Sequence, residues 1–228
     1  LKETYCYATH HSLDQIRKHL KENVTPDKGS HLTFIGSGNY HYVTKLLLER
    51  LNEPFVLVLC DHHVDSMVLP YEGLISCGSW VRNALKTLPN LMQVLFIGIG
   101  DEQIAYLKDL DSSKLLYIPT SKLEDEDYIA KVEEKVKPLP VYISIDKDVL
   151  SEEYVVTNWD QGVLSPKRLV QLIERNVASR SVLGIDVCGE ENTKNRRFVM
   201  AQARNNRTNH YFLEWGQKIL LEHRPSKS

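Results

Sequence analysis

The sequence predicts an α/β fold, an open and mostly parallel sheet with helices on both faces. Two observations carry that reading: short apolar runs alternate with longer amphipathic ones from about residue 11 onward, and most of the short runs are continuously apolar rather than alternating. Continuous β-branched runs are what strands covered on both faces require. Regular strand and helix alternation then places them in one parallel sheet.

In chain order, strands are expected over residues 31–36, 55–60, 94–98, 115–118, 141–145 and 182–187. Amphipathic patterns between them predict helices over 13–21, 42–51, 79–87, 102–110, 125–135 and 166–176. The last opens with Ser165 and Pro166, a side-chain cap followed by proline at the first helical position. Residues 192–222 read as a long, arginine-rich helical tail whose apolar positions pack on the sheet or on another subunit. No internal repeat or low-complexity segment interrupts the order. One domain over 1–228 is expected, with 1–30 a leading segment of unassigned role.

Of the 228 residues, 42% are hydrophobic and 25% charged, ordinary globular proportions with length enough for one substantial core. The net charge of −2 gives no basic field for a nucleic-acid backbone or an anionic membrane, so neither is expected as a partner. Four scattered cysteines, Cys6, Cys60, Cys77 and Cys188, form no CxxC pair, and two lie in strand-like runs. That distribution fits a reducing compartment, and a cytoplasmic location is expected. No stretch approaches the roughly 20 apolar residues that span a bilayer, and residues 1–9 lack a basic-then-apolar signal layout.

Right-handed crossovers put the carboxyl ends of parallel strands along one edge, where such sheets hold ligands. After the second strand comes Asp61-His62-His63-Val64-Asp65, so Asp61, His63 and Asp65 fall on alternate positions and share one face when extended. The fifth strand ends Ser144-Ile145-Asp146-Lys147-Asp148, placing Asp146 and Asp148 together by the same periodicity. The first strand leads through Gly36-Ser37-Gly38-Asn39-Tyr40 to His41. His62 falls on the opposite face and reads as a packing residue.

Four carboxylates and two imidazoles, without thiolate, suit Mn²⁺ and other divalent first-row ions, and are a poor set for structural zinc. Four clustered carboxylates without cations would raise one another's pKa, whereas two divalent ions balance their charge. Two ions roughly 3.5 Å apart can share a water and lower its pKa enough to supply hydroxide. A lone Asp after a strand is ordinarily a cap, and a lone loop His is ordinarily solvated; the paired spacings are what point to metal.

This constellation resembles the arginase, agmatinase and formiminoglutamase family, the ureohydrolases. Their Asp-Ala-His-x-Asp segment is matched by Asp61, His63 and Asp65, their Ser-x-Asp-x-Asp segment by Ser144, Asp146 and Asp148, and their first histidine by His41. The likeness runs from about residue 31 to 200. It implies a three-layer α-β-α sandwich, two Mn²⁺ per chain, attack by hydroxide on a guanidino, amidino or formimino carbon of a small cationic or polar molecule, and homo-oligomers.

The chain departs from the family pattern in three places. Ser76-Cys77-Gly78-Ser79 stands where a His-Gly step is usual, so Cys77 is either a titrating or substrate-contacting group or a small buried hydrophobe. Asp186-Val187-Cys188-Gly189-Glu190 stands where Asp-x-x-Glu is usual. Gly189 takes the glutamate's place, and Glu190 either substitutes for it through a bulge or is a loop carboxylate. Leu150-Ser151-Glu152 replaces Leu-Asp-Pro, and in the loop that follows Trp159 and Asp160 either line the crevice mouth and contact substrate or form an ordinary loop with one packed ring. Two other readings stand beside the hydrolase: a metal-stabilised pseudoenzyme that binds a ligand or partner, and a deacetylase-like amidohydrolase with one Zn²⁺, against which the full six-ligand set argues.

Overall fold

The computed structural model describes residues 4–23, 31–190 and 198–225, with the backbone alone for 23 and 198–200. Six strands form one all-parallel sheet: β2 (His31–Gly36), β3 (Phe55–Cys60), β5 (Leu91–Ile97), β6 (Leu115–Ile118), β7 (Val141–Asp146) and β8 (Val182–Cys188). Their order across the sheet is β2-β8-β7-β3-β5-β6. Each contains most of an expected strand. Two strands were not expected, β1 (Tyr7–Thr9) and β4 (Leu74–Ser76), which pair antiparallel as a separate ribbon. Three residues apiece are too few to show a period against polar neighbours.

Side chains alternate across β3. Val56, Val58 and Cys60 enter one apolar cluster with α4 (Glu126–Glu133), α5 (Pro166–Val177) and α6 (Phe198–Glu222). Phe55, Leu57 and Leu59 enter another with α1 (His10–Asn23), α2 (Val43–Leu48) and α3 (Trp80–Thr87). Helices therefore cover both faces, giving three α-β-α layers. The central strands are fully buried, as their uninterrupted apolar runs require. At roughly 1.5–3 kcal/mol per fully buried aliphatic or aromatic side chain, these two clusters dominate stability.

Local sequence sets the ends of the helices. Ser165 Oγ accepts from Arg168 N at 3.1 Å with Pro166 next to it, and Asp125 Oδ1 accepts from Tyr128 N at 3.0 Å. The pattern expected to be helical over 102–110 is a 3₁₀ segment, Asp101–Leu107, which starts at Gly100 without a side-chain cap. The tail helix packs Phe212, Trp215 and Ile219 against the sheet; residues 192–197 lie outside the described residues. No helix among the described residues is long and apolar enough to cross a membrane.

Chain order locates the crevice. From β3 the chain moves outward to β5 and β6, then returns to β7 on the other side of β3 and continues to β8. The crossovers diverge between β3 and β7, and the opening at their carboxyl ends is where open α/β sheets bind ligands.

Candidate metal centre

Strand register assembles the site. Cys60 lies beside Ile145 in the β3/β7 pair, so Asp61 and Asp146 step off the sheet together. Asp146 pairs in turn with Cys188 of β8. From β2 the chain makes a 3₁₀ turn, Gly38–Tyr40, capped by Ser37, which delivers His41 above the same edge. Gly38 is needed for close approach: a Cβ there would lie 2.8 Å from Asp146 Oδ2 and 3.3 Å from the Trp159 ring.

Four of the expected ligands meet at His41. Its Nδ1 is 3.2 Å from Asp61 Oδ2, 3.0 Å from Asp65 Oδ2 and 3.6 Å from Asp146 Oδ2. A second group forms around His63, whose Nδ1 is 3.5 Å from Asp61 Oδ1 and 3.0 Å from Asp148 Oδ2. Asp61 belongs to both groups, one oxygen turned to each. All six residues proposed from sequence as ligands are thus brought together as two donor clusters joined by one carboxylate.

A second layer of hydrogen bonds fixes these side chains. Ser144 Oγ donates to Asp186 Oδ1 at 2.7 Å, where Thr44 Oγ1 also donates at 3.0 Å. With its proton so engaged, Ser144 Oγ accepts from His41 Nε2 at 3.0 Å, which turns the His41 Nδ1 toward the carboxylates. Trp80 Nε1 donates to Asp65 Oδ2 at 2.6 Å. Backbone N–H groups hold the rest: His63 N to Asp61 Oδ1 at 2.6 Å, His62 N to Asp148 Oδ1 at 3.1 Å and Asp148 N to Asp146 Oδ1 at 3.1 Å. Asp65 itself takes a left-handed backbone, φ 46°, an uncommon cost for a non-glycine residue.

The electrostatics show what this cluster lacks on its own. Burial, with repulsion from Asp148 and Asp61, pushes the Asp146 carboxyl up to about 7. Burial and Asp61 push Asp148 to about 6, and burial raises Asp65 and Asp186, the latter to about 6. Burial works against a charged His63, yet the hydrogen bonds and charges of Asp148 and Asp61 outweigh it and raise its pKa to about 12. His41 Nδ1 is buried without a hydrogen-bond partner although three carboxylate oxygens surround it. Converging acceptors of this kind fit cations better than they fit one another, and the donor set suits two divalent ions.

A cavity of about 260 Å³ opens onto the two clusters. Asp61, His63, Asp65, Asp146 and Asp148 line its floor, and Tyr7, Met67, Leu69, Tyr106 and Trp159 contribute its apolar walls. Among the described residues no lysine or arginine lines it. Cys77 lies in the wall, and burial raises its thiol pKa. Trp159 stands at the mouth, its Nε1 donating to Asn39 Oδ1 at 3.0 Å. Asp160 is exposed and is not a lining residue. Glu190 is not a lining residue either: it accepts from Lys147 Nζ at 2.5 Å, Asn209 Nδ2 at 2.8 Å and Asn205 Nδ2 at 3.2 Å.

β8 does not bulge at its carboxyl end. It stops at Cys188, and Gly189 turns the chain with φ 95°. A Cβ at 189 would lie 2.6 Å from Asp146 Oδ1 and 2.7 Å from Lys147 N, so no side chain fits there. Thr44, Trp80 and Cys188 were not identified from the sequence. Trp80 looks like an ordinary core aromatic. Cys188 looks like a small hydrophobe ending a strand, yet its Sγ donates to Asp146 Oδ2 at 3.1 Å inside the His41 cluster. Period-two counting back from Cys188 to Asp186, which share a face, was the available signal.

The sequence profile of the arginase family matches residues 4–192. An uncharacterized protein of Thermotoga maritima is 35% identical over 171 residues, 74% of this chain; the chain spans 61% of that relative's length. Among solved structures, formiminoglutamase with Mn²⁺ from Trypanosoma cruzi superposes with a TM-score of 0.69 at 13% identity, covering 90% of this chain and 71% of that one. A hypothetical agmatinase from Burkholderia thailandensis gives 0.67 at 19% identity over 93% and 69%. Proclavaminate amidino hydrolase from Streptomyces clavuligerus gives 0.66 at 17% over 88% and 69%. At these identities the structural matches establish the fold.

Proposed function

The chain belongs to the arginase family, and from that premise we propose that it is a binuclear-metal hydrolase of C–N bonds in small guanidino, amidino or formimino compounds. The observation that carries this reading is the division of Asp61, Oδ2 toward His41 and Oδ1 toward His63, which makes one carboxylate common to two donor clusters. His41, Asp61, Asp65 and Asp146 would hold one cation; Asp61, His63 and Asp148 the other. When bound, such a pair of ions supplies Lewis-acid activation of water beside a planar carbon. Manganese is the proposed ion, in keeping with the Trypanosoma cruzi structure.

The protein's own groups do the rest. Ser144 and Asp186 hold the His41 ring in one orientation, Trp80 aims Asp65, and the apolar walls limit bulk water around the floor. Two divalent ions would balance the carboxylates of the floor, and no lysine or arginine among the described lining residues offers a counter-charge to an anion, so the reading favours a neutral polar or cationic head over an anionic one. Trp159 adds an aromatic ring to the cavity lining, a group that attracts a planar cation. Partners other than a small molecule, self-association included, rest on family likeness alone.

A second reading, a metal-binding protein of the same fold without turnover, is favoured by Cys77 at the His-Gly position and by Glu190 being tied to Lys147 rather than to the cavity. One experiment separates the two. Metal content is measured after loading with Mn²⁺, and release of urea or ammonia is assayed across arginine, agmatine, guanidinobutyrate, guanidine and formiminoglutamate. Two ions per chain with turnover of any substrate supports the hydrolase. Two ions without turnover supports the binding protein, and a single tightly held Zn²⁺ overturns the binuclear reading.

A further inference from the structure

We propose that the Cys188 thiol is itself a ligand of the cation on the His41 side, giving that half of the centre a sulfur donor and with it an affinity for thiophilic divalent ions that an oxygen and nitrogen set alone would lack. The inference rests on the metal reading above and changes its chemistry.

Its support is geometric. Cys188 lies opposite Asp146 in the β7/β8 register, with Sγ 3.1 Å from Asp146 Oδ2. One ligand atom from each of His41, Asp146 and Cys188 falls within a 4.8 Å group, and all three residues are buried. The second, independent observation is His41 Nδ1, 1% exposed and without a hydrogen-bond partner, aimed into the same group. Gly189 explains why the thiol reaches so far: with no Cβ, the end of β8 closes onto Asp146 and Lys147. The other cysteines are placed differently. Cys60 packs in the apolar core on the far face of the sheet, and Cys6 and Cys77 stand in the cavity wall.

On ligation the S–H bond breaks, the sulfur lone pair forms the bond to the cation, and the proton leaves to solvent; no electron changes hands. A thiolate among carboxylates and imidazole moves the site from hard toward borderline ions such as Co²⁺, Zn²⁺ and Fe²⁺. The distinction matters because a centre of oxygen and nitrogen alone suits Mn²⁺.

Cobalt substitution of the whole chain tests this. The expected spectrum has visible d–d bands and a near-ultraviolet sulfur-to-cobalt charge-transfer band, the latter lost in Cys188→Ser and kept in Cys77→Ser. A charge-transfer band missing from the unmutated protein, or surviving in Cys188→Ser, overturns the inference while the d–d bands leave the metal reading intact. Absence of both kinds of band overturns both. X-ray absorption at the zinc edge of the unmutated, zinc-loaded protein needs no variant: a sulfur scatterer at about 2.3 Å is expected, and a shell of oxygen and nitrogen alone refutes the proposal.

Discussion

His41 Nε2 lies 3.0 Å from Ser144 Oγ, and that one bond decides which face of the imidazole meets the carboxylates. Ser144 cannot donate to His41, because its proton is engaged by Asp186 Oδ1 at 2.7 Å. The chain Asp186, Ser144, His41 therefore turns Nδ1 toward the carboxylates, where a cation would take the place of a proton.

Ser144→Ala removes the acceptor and frees the ring. Loss of a partner behind a ligand typically costs about 10–100-fold in metal affinity. The same loss is expected here, confined to the His41 side, and isothermal titration with Mn²⁺ should show one weakened and one unchanged site. Equal weakening of both, or of neither, would contradict the relay.

Glu190→Gln tests whether this carboxylate anchors the fold or serves the cavity. Lys147 is fully buried, and Glu190 is its counter-ion, 2.5 Å away, while Asn205 and Asn209 of α6 bond to the same carboxylate. Glutamine keeps an acceptor but strands the ammonium. With Glu190 itself partly exposed, the expected loss is about 1–3 kcal/mol in urea unfolding, with metal stoichiometry unchanged. A variant of unaltered stability that has lost a metal would assign Glu190 to the centre instead.

The sheet was legible because its strands are buried on both faces, so runs such as Phe55–Cys60 carry their signal in every residue. Five ligands were legible from the Asp-x-His-x-Asp and Asp-x-Asp spacings at strand ends and His41 from the glycine turn after the first strand, although neither spaced segment stays extended: Asp65 has φ 46° and Asp148 lies in a 3₁₀ turn over Lys147–Val149. The β1/β4 ribbon was not, since three-residue strands have no period to read. Nor was Cys188: its role depends on lying opposite Asp146, a register relation between strands some forty residues apart. Glu190 was undecided between site and loop for the same reason, because its partners Lys147 and Asn209 come from other elements.

Gly189→Ala probes the closest approach in the site. The substitution imposes a Cβ on a φ of 95° and places it 2.6 Å from Asp146 Oδ1. The backbone term alone is about 1–3 kcal/mol, and displacement of Asp146 adds to it. Reduced unfolding free energy together with weakened metal binding is expected; a variant indistinguishable from the parent in both would show that the β8 turn relaxes freely.

The pH dependence of the metal-free protein follows from the same carboxylates. Asp146, at about 7, and Asp148 and Asp186, at about 6, titrate well above their ordinary range near 3.8. Between those limits the folded chain binds more protons than the unfolded chain, so stability falls as pH rises. His63, raised to about 12 from 6.5, acts in the same sense: its contribution is complete below its unfolded pKa and is lost as pH climbs toward the folded one. After chelation the melting temperature should therefore be higher at pH 5 than at pH 8. Divalent cations bind the ionised carboxylates and displace protons, so the stabilisation by added Mn²⁺ should run the opposite way and be larger at pH 8. Thermal melts at both pH values, with and without Mn²⁺, check both slopes. A chelated protein that gains stability from pH 5 to pH 8 would mean that Asp146 and Asp148 are already ionised at pH 5 without a cation beside them.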